Sequence, residues 1–411
     1  MKLLFVHQHL GEFAGAEANI HLVARELRGR GHSLALLYER NTGRNEGDWH
    51  EFFPQSYRLP SRGNVEFLEA VLEQSAPDLI YLHNCSDPDL MEALFRAEAP
   101  VVRMVHDHSL YCLRTYKYNY FTRRPCQRPA SLYCVFPCLA NVARSRAGRL
   151  PIQWASYAAK RREIRLNQRA QRLIVYSDYL KTELVRNGFD PARIEICVPI
   201  VGADRAKVTA GFGPENLVLY AGQLIRGKGV DVLLGALAKV RVPFRCLILG
   251  DGNHRPYCER LAVRLGLAER VQFAGYVLPA ELEAYYRRAS VFAMSSLWPE
   301  PFGMAGPEAM RYGLPVVAFE AGGIREWLDD GLNGYLVPWK DTGQFAARLE
   351  HLLLNKDFAR QMGRRAAESV SRFEVSRQVA RLEAVFQAVL AEARGPVRPE
   401  RTPSPEFSAH E

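Results

Sequence analysis

The sequence has 411 residues, of which 48% are apolar and 24% are charged, and its formal net charge is +9. This length exceeds what one hydrophobic core usually serves, so we expect two domains, and the composition excludes a mainly disordered, collagenous or coiled-coil chain. No apolar run approaches the roughly 18 residues of a membrane span, and His7 interrupts the apolar start MKLLFVHQHL, so the expected compartment is the cytoplasm.

The first half of the chain alternates short apolar runs with helical patterns. The predicted strands are residues 3–7, 34–38, 79–82, 101–105 and 173–176. Strands that are apolar nearly throughout are typical of a parallel sheet covered on both faces. This half is therefore predicted to be a Rossmann-like domain.

The same pattern restarts at Asn216. The second set of predicted strands is residues 217–220, 246–249, 271–273, 291–294 and 316–319. The predicted fold is thus α/β, with two tandem doubly wound Rossmann-like domains that face each other across a cleft. The predicted parts are domains at 1–205 and 206–372, joined near 199–213, a helix at 373–394 that packs back on the first domain, and a disordered tail at 395–411.

Residues 114–172 hold fourteen Lys and Arg but one acid, Glu163, and interleave them with Tyr, Phe and Trp. This mixture suits anionic lipid headgroups, so we predict docking on an anionic membrane surface or on an anionic acceptor. A solvated basic helix beside ordinary core aromatics remains an alternative, and nucleic acid binding is the least favoured one.

Four of the eight cysteines, Cys112, Cys126, Cys134 and Cys138, lie within 27 residues. Four thiols could hold a structural zinc ion or form an oxidisable pair. Their spacing lacks the C-x2-C knuckle of common zinc fingers, which favours the alternative that they are unrelated free thiols.

The segment from Gly222 to Lys228, GQLIRGK, follows a predicted strand and fits the phosphate-loop pattern G-x-x-x-x-G-K. That motif requires Ser or Thr directly after the lysine to bind Mg²⁺, and Gly229 stands there instead. The sequence therefore predicts metal-free binding of a diphosphate by Arg226, Lys228 and the start of the following helix. A phosphate-loop nucleotide hydrolase is the rival interpretation.

The nonapeptide EPFGMAGPE places Glu300 and Glu308 eight residues apart, with Gly303 and Gly306 between them. Carboxylates accept paired hydrogen bonds from vicinal hydroxyls, and glycine allows close approach of the backbone, so the segment suits sugars and ribose. His106 follows another predicted strand. Ligands bind at the carboxyl ends of parallel strands, which favours a functional role over a metal cluster with Asp107 and His108 or a satisfied polar group.

With its flanks, EPFGMAGPE resembles the E-x7-E signature region of retaining family-4 glycosyltransferases with the GT-B fold. Five other segments resemble elements of that family and occur in the same order. The family's glycine-bearing loop and first helix resemble GEFAGAEANIHLVARELRGRGH, and its active-site histidine strand resembles VVRMVHDHSLYC. Its domain-end strand and helix resemble LIVYSDYLKTELVRNG, its diphosphate loop resembles AGQLIRGKGVDVLLGALA, and the strand that follows resembles LILGDG.

This resemblance implies a retaining transferase that moves a hexose-type sugar from a UDP- or GDP-linked donor to a glycan or lipid-linked acceptor. The implied setting is cell-surface polysaccharide or glycolipid synthesis, with no cofactor and no catalytic metal. The implied catalytic residues are His106, Glu300 and Lys228. The implied donor-binding residues are Gly15, Gly222, Arg226, Lys228, Gly303, Met304 and Glu308.

Within that set, Glu300 is expected on the donor sugar, Glu308 on the ribose, and His106 beside the anomeric carbon. One position departs from the family pattern, because Gln223 stands where an arginine usually follows Gly222. A neutral amide cannot replace a guanidinium on developing negative charge, so Arg226 is expected to compensate. A basic membrane-binding or nucleic-acid-binding adaptor is the rival that is not an enzyme.

Overall fold

The computed structural model describes residues 1–11, 15–60, 62–85, 87–144, 152–201 and 215–394. Two parallel α/β domains and a C-terminal helix make up this part of the chain, which confirms the predicted fold class. Most of the predicted junction and the whole predicted disordered tail lie outside the described residues.

The first domain contains a seven-stranded sheet in which every neighbouring pair is parallel, in the order β3-β2-β1-β4-β5-β8-β9. Its strands are β1 (Lys2–Leu10), β2 (Ser33–Asn41), β3 (Gln55–Arg58), β4 (Leu79–Leu82), β5 (Val101–Met104), β8 (Arg172–Val175) and β9 (Ile194–Ile196). Its helices are α1 (Gly15–Gly29), α2 (Glu46–Phe52), α3 (Asn64–Ser75), α4 (Pro88–Leu94), α5 (Tyr157–Asn167) and α6 (Asp178–Arg186). The central strands are buried on both faces, as their apolar sequences predict.

The chain between β5 and α5 is mostly irregular. It contains a one-turn 3-10 helix at Leu132–Cys134 and a short antiparallel pair, β6 (Val142–Arg144) with β7 (Ile152–Trp154). We call residues 112–141 the Cys loop, because all four clustered cysteines lie in it. The Cys loop is held by side-chain contacts rather than by a sheet, and it extends to the second domain.

The second domain has a six-stranded parallel sheet in the order β12-β11-β10-β13-β14-β15. Its strands are β10 (Leu217–Ala221), β11 (Arg245–Leu249), β12 (Val271–Gly275), β13 (Val291–Met294), β14 (Val316–Phe319) and β15 (Gly334–Val337). Its helices are α7 (Val230–Leu237), α8 (Arg255–Arg264), α9 (Pro279–Arg288), α10 (Ala305–Arg311), α11 (Thr342–Leu354) and α12 (Lys356–Val370). In both sheets the order reverses beside the first strand, which is where doubly wound folds bind ligands.

The last helix, α13 (Val375–Arg394), contacts the first domain. Phe386 packs edge-on against Tyr81 of β4, with 5.0 Å between ring centroids. Glu383 accepts a hydrogen bond from Arg30 and pairs with His32, both of which directly follow α1. The chain therefore returns from the second domain to the first. Among the helices that the structure describes, none has the length and apolar character needed to cross a bilayer.

Candidate functional site

The two domains meet at the carboxyl ends of their sheets. His108, which follows β5, lies with Nε2 2.7 Å from the carbonyl oxygen of Pro299 in the second domain. Ser177, which caps α6, donates its hydroxyl to the carbonyl of Pro301 at 2.6 Å. These hydrogen bonds place the EPFGMAGPE segment against the strand-end residues of the first domain.

Glu300 is the carboxylate of this segment that accepts the most hydrogen bonds. Its Oε1 accepts hydrogen bonds from Lys228 Nζ at 2.7 Å, from Trp298 Nε1 at 2.8 Å and from the hydroxyl of Ser296. The Lys228 ammonium also lies 4.8 Å from the centre of the Trp298 ring. With only 3% of Glu300 exposed, its carboxylate and the Lys228 cation are held in one fixed arrangement in the cleft.

The loop between β10 and α7 explains why a phosphate-loop hydrolase does not fit. Gly229 has φ +69°, and a Cβ there would lie 2.1 Å from the backbone oxygen of Ser295. The position that would need a Ser or Thr hydroxyl for Mg²⁺ therefore has no room for a side chain. The loop instead forms a 3-10 turn at Arg226–Lys228 and presents Lys228 to Glu300.

The remaining donor-side residues lie where the chain enters α10. Gly303 has φ +89°, Met304 precedes the first helical residue, and Glu308 is in the first turn. Burial raises the pKa of the Glu308 carboxyl above its ordinary value, and the neighbouring Arg311 opposes that rise. Glu308 is a residue of intermediate exposure, and a carboxylate at this position suits a hydroxyl-bearing ligand.

His106 is a buried link in a hydrogen-bonded chain. The Tyr176 hydroxyl lies 2.8 Å from His106 Nδ1 and 3.4 Å from Asn19 Oδ1. His106 Nε2 lies 2.9 Å from His83 Nδ1, so both ring nitrogens of His106 have a hydrogen-bond partner. Burial lowers the pKa of His106 to about 3, so the imidazole is neutral at physiological pH.

The metal cluster of His106, Asp107 and His108, which was the alternative for this strand end, is not among the close groups of ligand-type side chains in the described part of the chain. His108 is turned towards Pro299 and Tyr111, and burial lowers its pKa to about 4. The one group of three ligand-type side chains within 4.8 Å of each other, among described residues, is His7, His9 and Glu17. His7 Nδ1 in that group is buried without a hydrogen-bond partner, whereas metal-bound histidines normally donate from the second nitrogen.

The four clustered cysteines line one small cavity of about 20 Å³ in the Cys loop, and all four are free thiols. A tetrahedral zinc site would place its sulfurs roughly 3.8 Å apart, given Zn–S bonds of about 2.3 Å. Within the described residues, no three of these sulfurs lie within 4.8 Å of one another. The structure thus lacks the preformed zinc site that the clustering of Cys112, Cys126, Cys134 and Cys138 suggested.

The structure brings some predicted donor-side residues together and separates others. Lys228 contacts Glu300, whereas the Arg226 guanidinium stacks 4.8 Å over the Tyr120 ring of the Cys loop. Gln223 is exposed. Gly15 is the exposed first residue of α1, and a Cβ there would meet no atom within 4 Å.

Sequence reasoning missed several partners of the site. Ser296 and Trp298 both hydrogen-bond Glu300, and their spacing of four and two residues before it is the signal that could have found them. Tyr176 ends the predicted strand 173–176 and directly follows β8 in the structure. Arg123 and Asp231 pair across the cleft, and no local pattern in the sequence joins two residues 108 positions apart.

Two family models match the chain side by side. Glycosyltransferase Family 4 matches residues 13–205, and Glycosyl transferases group 1 matches residues 204–369. Among curated relatives, a D-inositol 3-phosphate glycosyltransferase of Streptomyces bingchenggensis is 32% identical over 227 residues, which are 50% of each chain. A second, from Catenulispora acidiphila, is 34% identical over 55% of this chain and 58% of its own length. The chain thus matches about half the length of these relatives.

Solved structures show the same fold over nearly the whole chain. HepE of Anabaena in complex with UDP-glucose superposes with a TM-score of 0.70 at 20% identity, covering 94% of this chain and all of HepE. Sucrose-phosphate synthase of Thermosynechococcus elongatus gives a TM-score of 0.72 at 19% identity, covering 95% and 99% of the two chains. At sequence identities of 20% and 19%, this likeness shows the fold alone.

Proposed function

We propose that this chain, which belongs to the glycosyltransferases with the GT-B fold, moves a hexose-type sugar from a nucleotide-sugar to a glycan or lipid-linked acceptor with retention of anomeric configuration. The observation that carries the proposal is the Glu300–Lys228 pair, held at 2.7 Å between the domains at the carboxyl ends of both sheets. A buried carboxylate suits sugar hydroxyls, and an adjacent ammonium suits a diphosphate.

The proposed donor is linked to UDP or GDP. Support comes from the solved structures with the same fold, one of which was determined in complex with UDP-glucose. Lys228 would meet the diphosphate, the backbone at Gly303 and Met304 would face the sugar and phosphates, and Glu308 would bind the ribose. Gly15 and Gly222 would allow close approach of the two loops to the phosphates.

The proposed chemistry needs neither a metal nor a protein nucleophile. Charge that develops on the leaving diphosphate is stabilised by Lys228 and by the amide groups at the start of α7. Glu300 Oε1 already accepts three hydrogen bonds, which suits it for orienting a sugar better than for attacking it. The acceptor hydroxyl would attack from the side of the leaving group and pass its proton to the leaving phosphate.

A neutral His106 fits this scheme as a wall of the sugar site. Its two ring nitrogens are engaged by His83 and Tyr176, so it does not exchange a proton with the reacting atoms in this arrangement. Its proposed place beside the anomeric carbon gives it a steric and dipolar role.

The test is a panel of UDP- and GDP-hexoses incubated with the protein and candidate glycan or lipid-linked acceptors, with and without EDTA. We expect one donor to be consumed equally in both conditions, and the anomeric proton coupling of the product to match that of the donor. Loss of transfer on chelation that Mg²⁺ restores would overturn the metal-free scheme. An inverted product would overturn retention.

We also propose that the acceptor is reached at an anionic membrane surface, in cell-surface polysaccharide or glycolipid synthesis. Three large apolar side chains near the Cys loop are strongly exposed, Leu132 at 72%, Phe136 at 76% and Trp154 at 73%. Arg161 and Arg165 are exposed on α5, the helix that follows. Exposed aromatics beside cations suit an anionic bilayer interface.

The structure also shows which cations of residues 114–172 are engaged within the protein. Arg162 pairs with Asp89 and Glu92, and Lys117 pairs with Glu183. The net charge of the segment therefore overstates the charge that it presents to a membrane. The exposed apolar side chains are expected to contribute as much as the arginines do.

Sedimentation with vesicles of neutral or anionic lipid tests the membrane proposal. A triple Leu132→Ser, Phe136→Ser, Trp154→Ser variant should lose binding to anionic vesicles. Its matched control is Val263→Ser with Leu354→Ser, since these side chains are 66% and 65% exposed on the second domain. Equal sedimentation of the two variants, or of the native protein with both lipids, would contradict the proposal and favour a soluble glycan acceptor.

A further inference from the structure

Arg123 extends from the Cys loop of the first domain into the second domain. Its Nη1 lies 2.6 Å from Asp231 Oδ2 and its Nη2 lies 2.9 Å from Asp231 Oδ1, which makes the pair bidentate. Nη2 also donates to the carbonyl oxygen of Arg226. One guanidinium thus holds both the 3-10 turn at Arg226–Lys228, which contains Lys228, and the first turn of α7, which directly follows it.

The Cys loop is shaped to present this arginine. The side-chain oxygen of Asn119 accepts hydrogen bonds from the backbone N–H groups of Phe121 and Thr122, and Arg123 N–H donates to the Asn119 carbonyl at 2.8 Å. The resulting turn places Arg123 at φ +61°, a conformation that a residue with a side chain adopts only where its surroundings hold it. Here the Asn119 hydrogen bonds hold the backbone of the turn, and the second domain holds the Arg123 side chain.

Aromatic residues of the same loop surround the contact. The Tyr120 ring lies under the Arg226 guanidinium at 4.8 Å, and Tyr118 packs against Gly227, where a Cβ would lie 3.2 Å from its ring. Tyr116 contacts the Trp298 ring at 5.7 Å between centroids. Trp298 in turn donates to Glu300, so the Cys loop contacts the partners of both catalytic candidates, Glu300 and Lys228.

The ion pair is buried, which makes each partner depend on the other. Arg123 is 8% exposed, and 13% of the Asp231 side chain is exposed. Burial by itself would raise the pKa of Asp231, but the nearby His254 and the Arg123 guanidinium hold it far below its ordinary value. His254 Nε2 is 3.8 Å from Asp231 Oδ1, too far for a hydrogen bond, so Arg123 is the group that satisfies the carboxylate.

We propose that Arg123 is a positioning residue, which holds the diphosphate loop at residues 222–229 in its donor-binding arrangement and thereby links closure of the cleft to the Cys loop. This inference rests on the proposed function, since it assigns the loop to the donor diphosphate. It adds that the first domain supplies a residue that shapes the donor site without contacting the donor. The replacement of arginine by Gln223 makes such outside support for Arg226 and Lys228 more important.

The experiment compares Arg123→Met with Arg124→Met, whose side chain is exposed on the same turn. UDP and GDP are the probes, and their dissociation constants are measured by calorimetry beside the melting temperature. Arg123→Met should weaken binding of the nucleotide by a coupling in the usual range of about 5–150-fold, whereas Arg124→Met should change it less than about twofold. In transfer assays the donor KM should rise more than kcat falls.

Three further variants separate positioning from a general loss of structure. Asp231→Asn should reproduce the loss, and the double variant Arg123→Met, Asp231→Asn should be no worse than either single one, because both remove the same pair. Arg123→Lys should recover part of the affinity, since a lysine keeps the charge but cannot bind bidentately. Equal affinities for Arg123→Met and Arg124→Met, or additive losses in the double variant, would overturn the inference.

Hydrogen–deuterium exchange makes the outcome independent of activity. In the protein without nucleotide, Arg123→Met should speed amide exchange in residues 222–231, and Arg124→Met should not. If the native protein bound neither UDP nor GDP, the proposed function would fail while the exchange result still decided whether Arg123 anchors the loop. Unchanged exchange in Arg123→Met would overturn the anchoring itself.

Discussion

The donor side of the cleft is made of short turns that directly follow regular strands, whereas the Cys loop opposite runs for 30 residues with a single 3-10 turn as its only regular structure. On the donor side, glycines allow close packing of the backbone: Gly229 packs on the backbone of Ser295, and Gly306 of α10 packs on the Trp327 ring. The Cys loop is fixed by buried ion pairs to two other parts of the protein, Lys117 with Glu183 and Arg123 with Asp231. Substitution of a charged side chain should therefore leave the donor side folded, whereas the same kind of substitution should destabilise the Cys loop.

The largest expected effect is on stability, from Lys117→Met in the Cys loop. Lys117 Nζ lies 2.9 Å from Glu183 Oε2, with both side chains at most 2% exposed, and it also donates to the carbonyl of Arg128. Removing one partner of a buried pair costs roughly 3–5 kcal/mol, and the lower end applies here because Arg186 still contacts Glu183. Denaturant unfolding measures the loss.

Arg124→Met serves as the control for that measurement and should change the free energy of unfolding by less than about 0.5 kcal/mol. A second change, Glu183→Gln, should restore part of the stability of Lys117→Met, because it removes the uncompensated charge. If Lys117→Met were as stable as the control, the Cys loop would not depend on its buried pairs, and the contrast between the two regions would fail.

The next largest effect is on catalysis, from Lys228→Ala and Glu300→Gln on the donor side. Removing one preorganised charge contact typically lowers turnover by about 10²–10³, or roughly 2.7–4 kcal/mol of barrier. Both variants should stay folded, since strands and glycine packing hold this region. Glu320→Gln, an exposed carboxylate paired with Arg325, is the matched control. Near-normal transfer by both folded variants would refute the assignment of the site.

The same contrast explains which parts of the molecule the sequence predicts. All ten predicted strands are present, because an apolar run in a parallel sheet carries its own signal. The missed strands are β3, β9 and β15, which lie at edges of the two parallel sheets, and β6 and β7, which form the short antiparallel pair. β3 carries only partly buried or exposed residues, QSYR, and has no apolar pattern to recognise.

The site divides in the same way. The sequence proposes Glu300, Glu308 and Lys228 because they lie in short motifs whose residues act together locally. In the sequence Arg123 is only one cation of a basic segment, since its partner Asp231 belongs to another domain. The four clustered cysteines show the same limit, because spacing along the chain does not report the separation of the sulfurs.

The third prediction concerns His106 and His108, which lie at the boundary between the donor side and the Cys loop and are buried in neutral form. Burial lowers their pKa values to about 3 and about 4, below the 6.5 of an exposed histidine. The unfolded chain therefore binds more protons below pH 6.5, and stability is lost as pH falls from 6.5 towards 4. Each histidine contributes a slope of about 1.4 kcal/mol per pH unit.

Unfolding free energies between pH 7 and pH 5 check this prediction. His106→Asn and His108→Asn should each reduce the slope against pH, whatever their effect on absolute stability. The exposed His50→Asn should leave the slope unchanged. Equal slopes in all three variants would show that neither buried histidine is kept neutral by the fold.

The smallest expected effect is from Glu308→Gln, which tests whether the donor side keeps a carboxylate at a cost in stability. Burial raises the pKa of Glu308 above 4.5, so the fold favours the protonated form. The resulting cost is present at pH 7 and disappears as pH falls below the folded pKa towards 4.5. Because Glu308 is a residue of intermediate exposure, Glu308→Gln should stabilise the protein at pH 7 by less than about 1 kcal/mol.

Binding of UDP should change in the opposite direction, because an amide cannot accept hydrogen bonds from both ribose hydroxyls as a carboxylate does. We expect weaker UDP binding by Glu308→Gln at pH 7 and a smaller difference from the native protein near pH 4.5, measured by calorimetry beside thermal melting. A variant that was both less stable and unchanged in UDP affinity at pH 7 would mean that Glu308 serves the fold of α10 rather than the ribose. The donor side would then depend on its side chains for stability, as the Cys loop does.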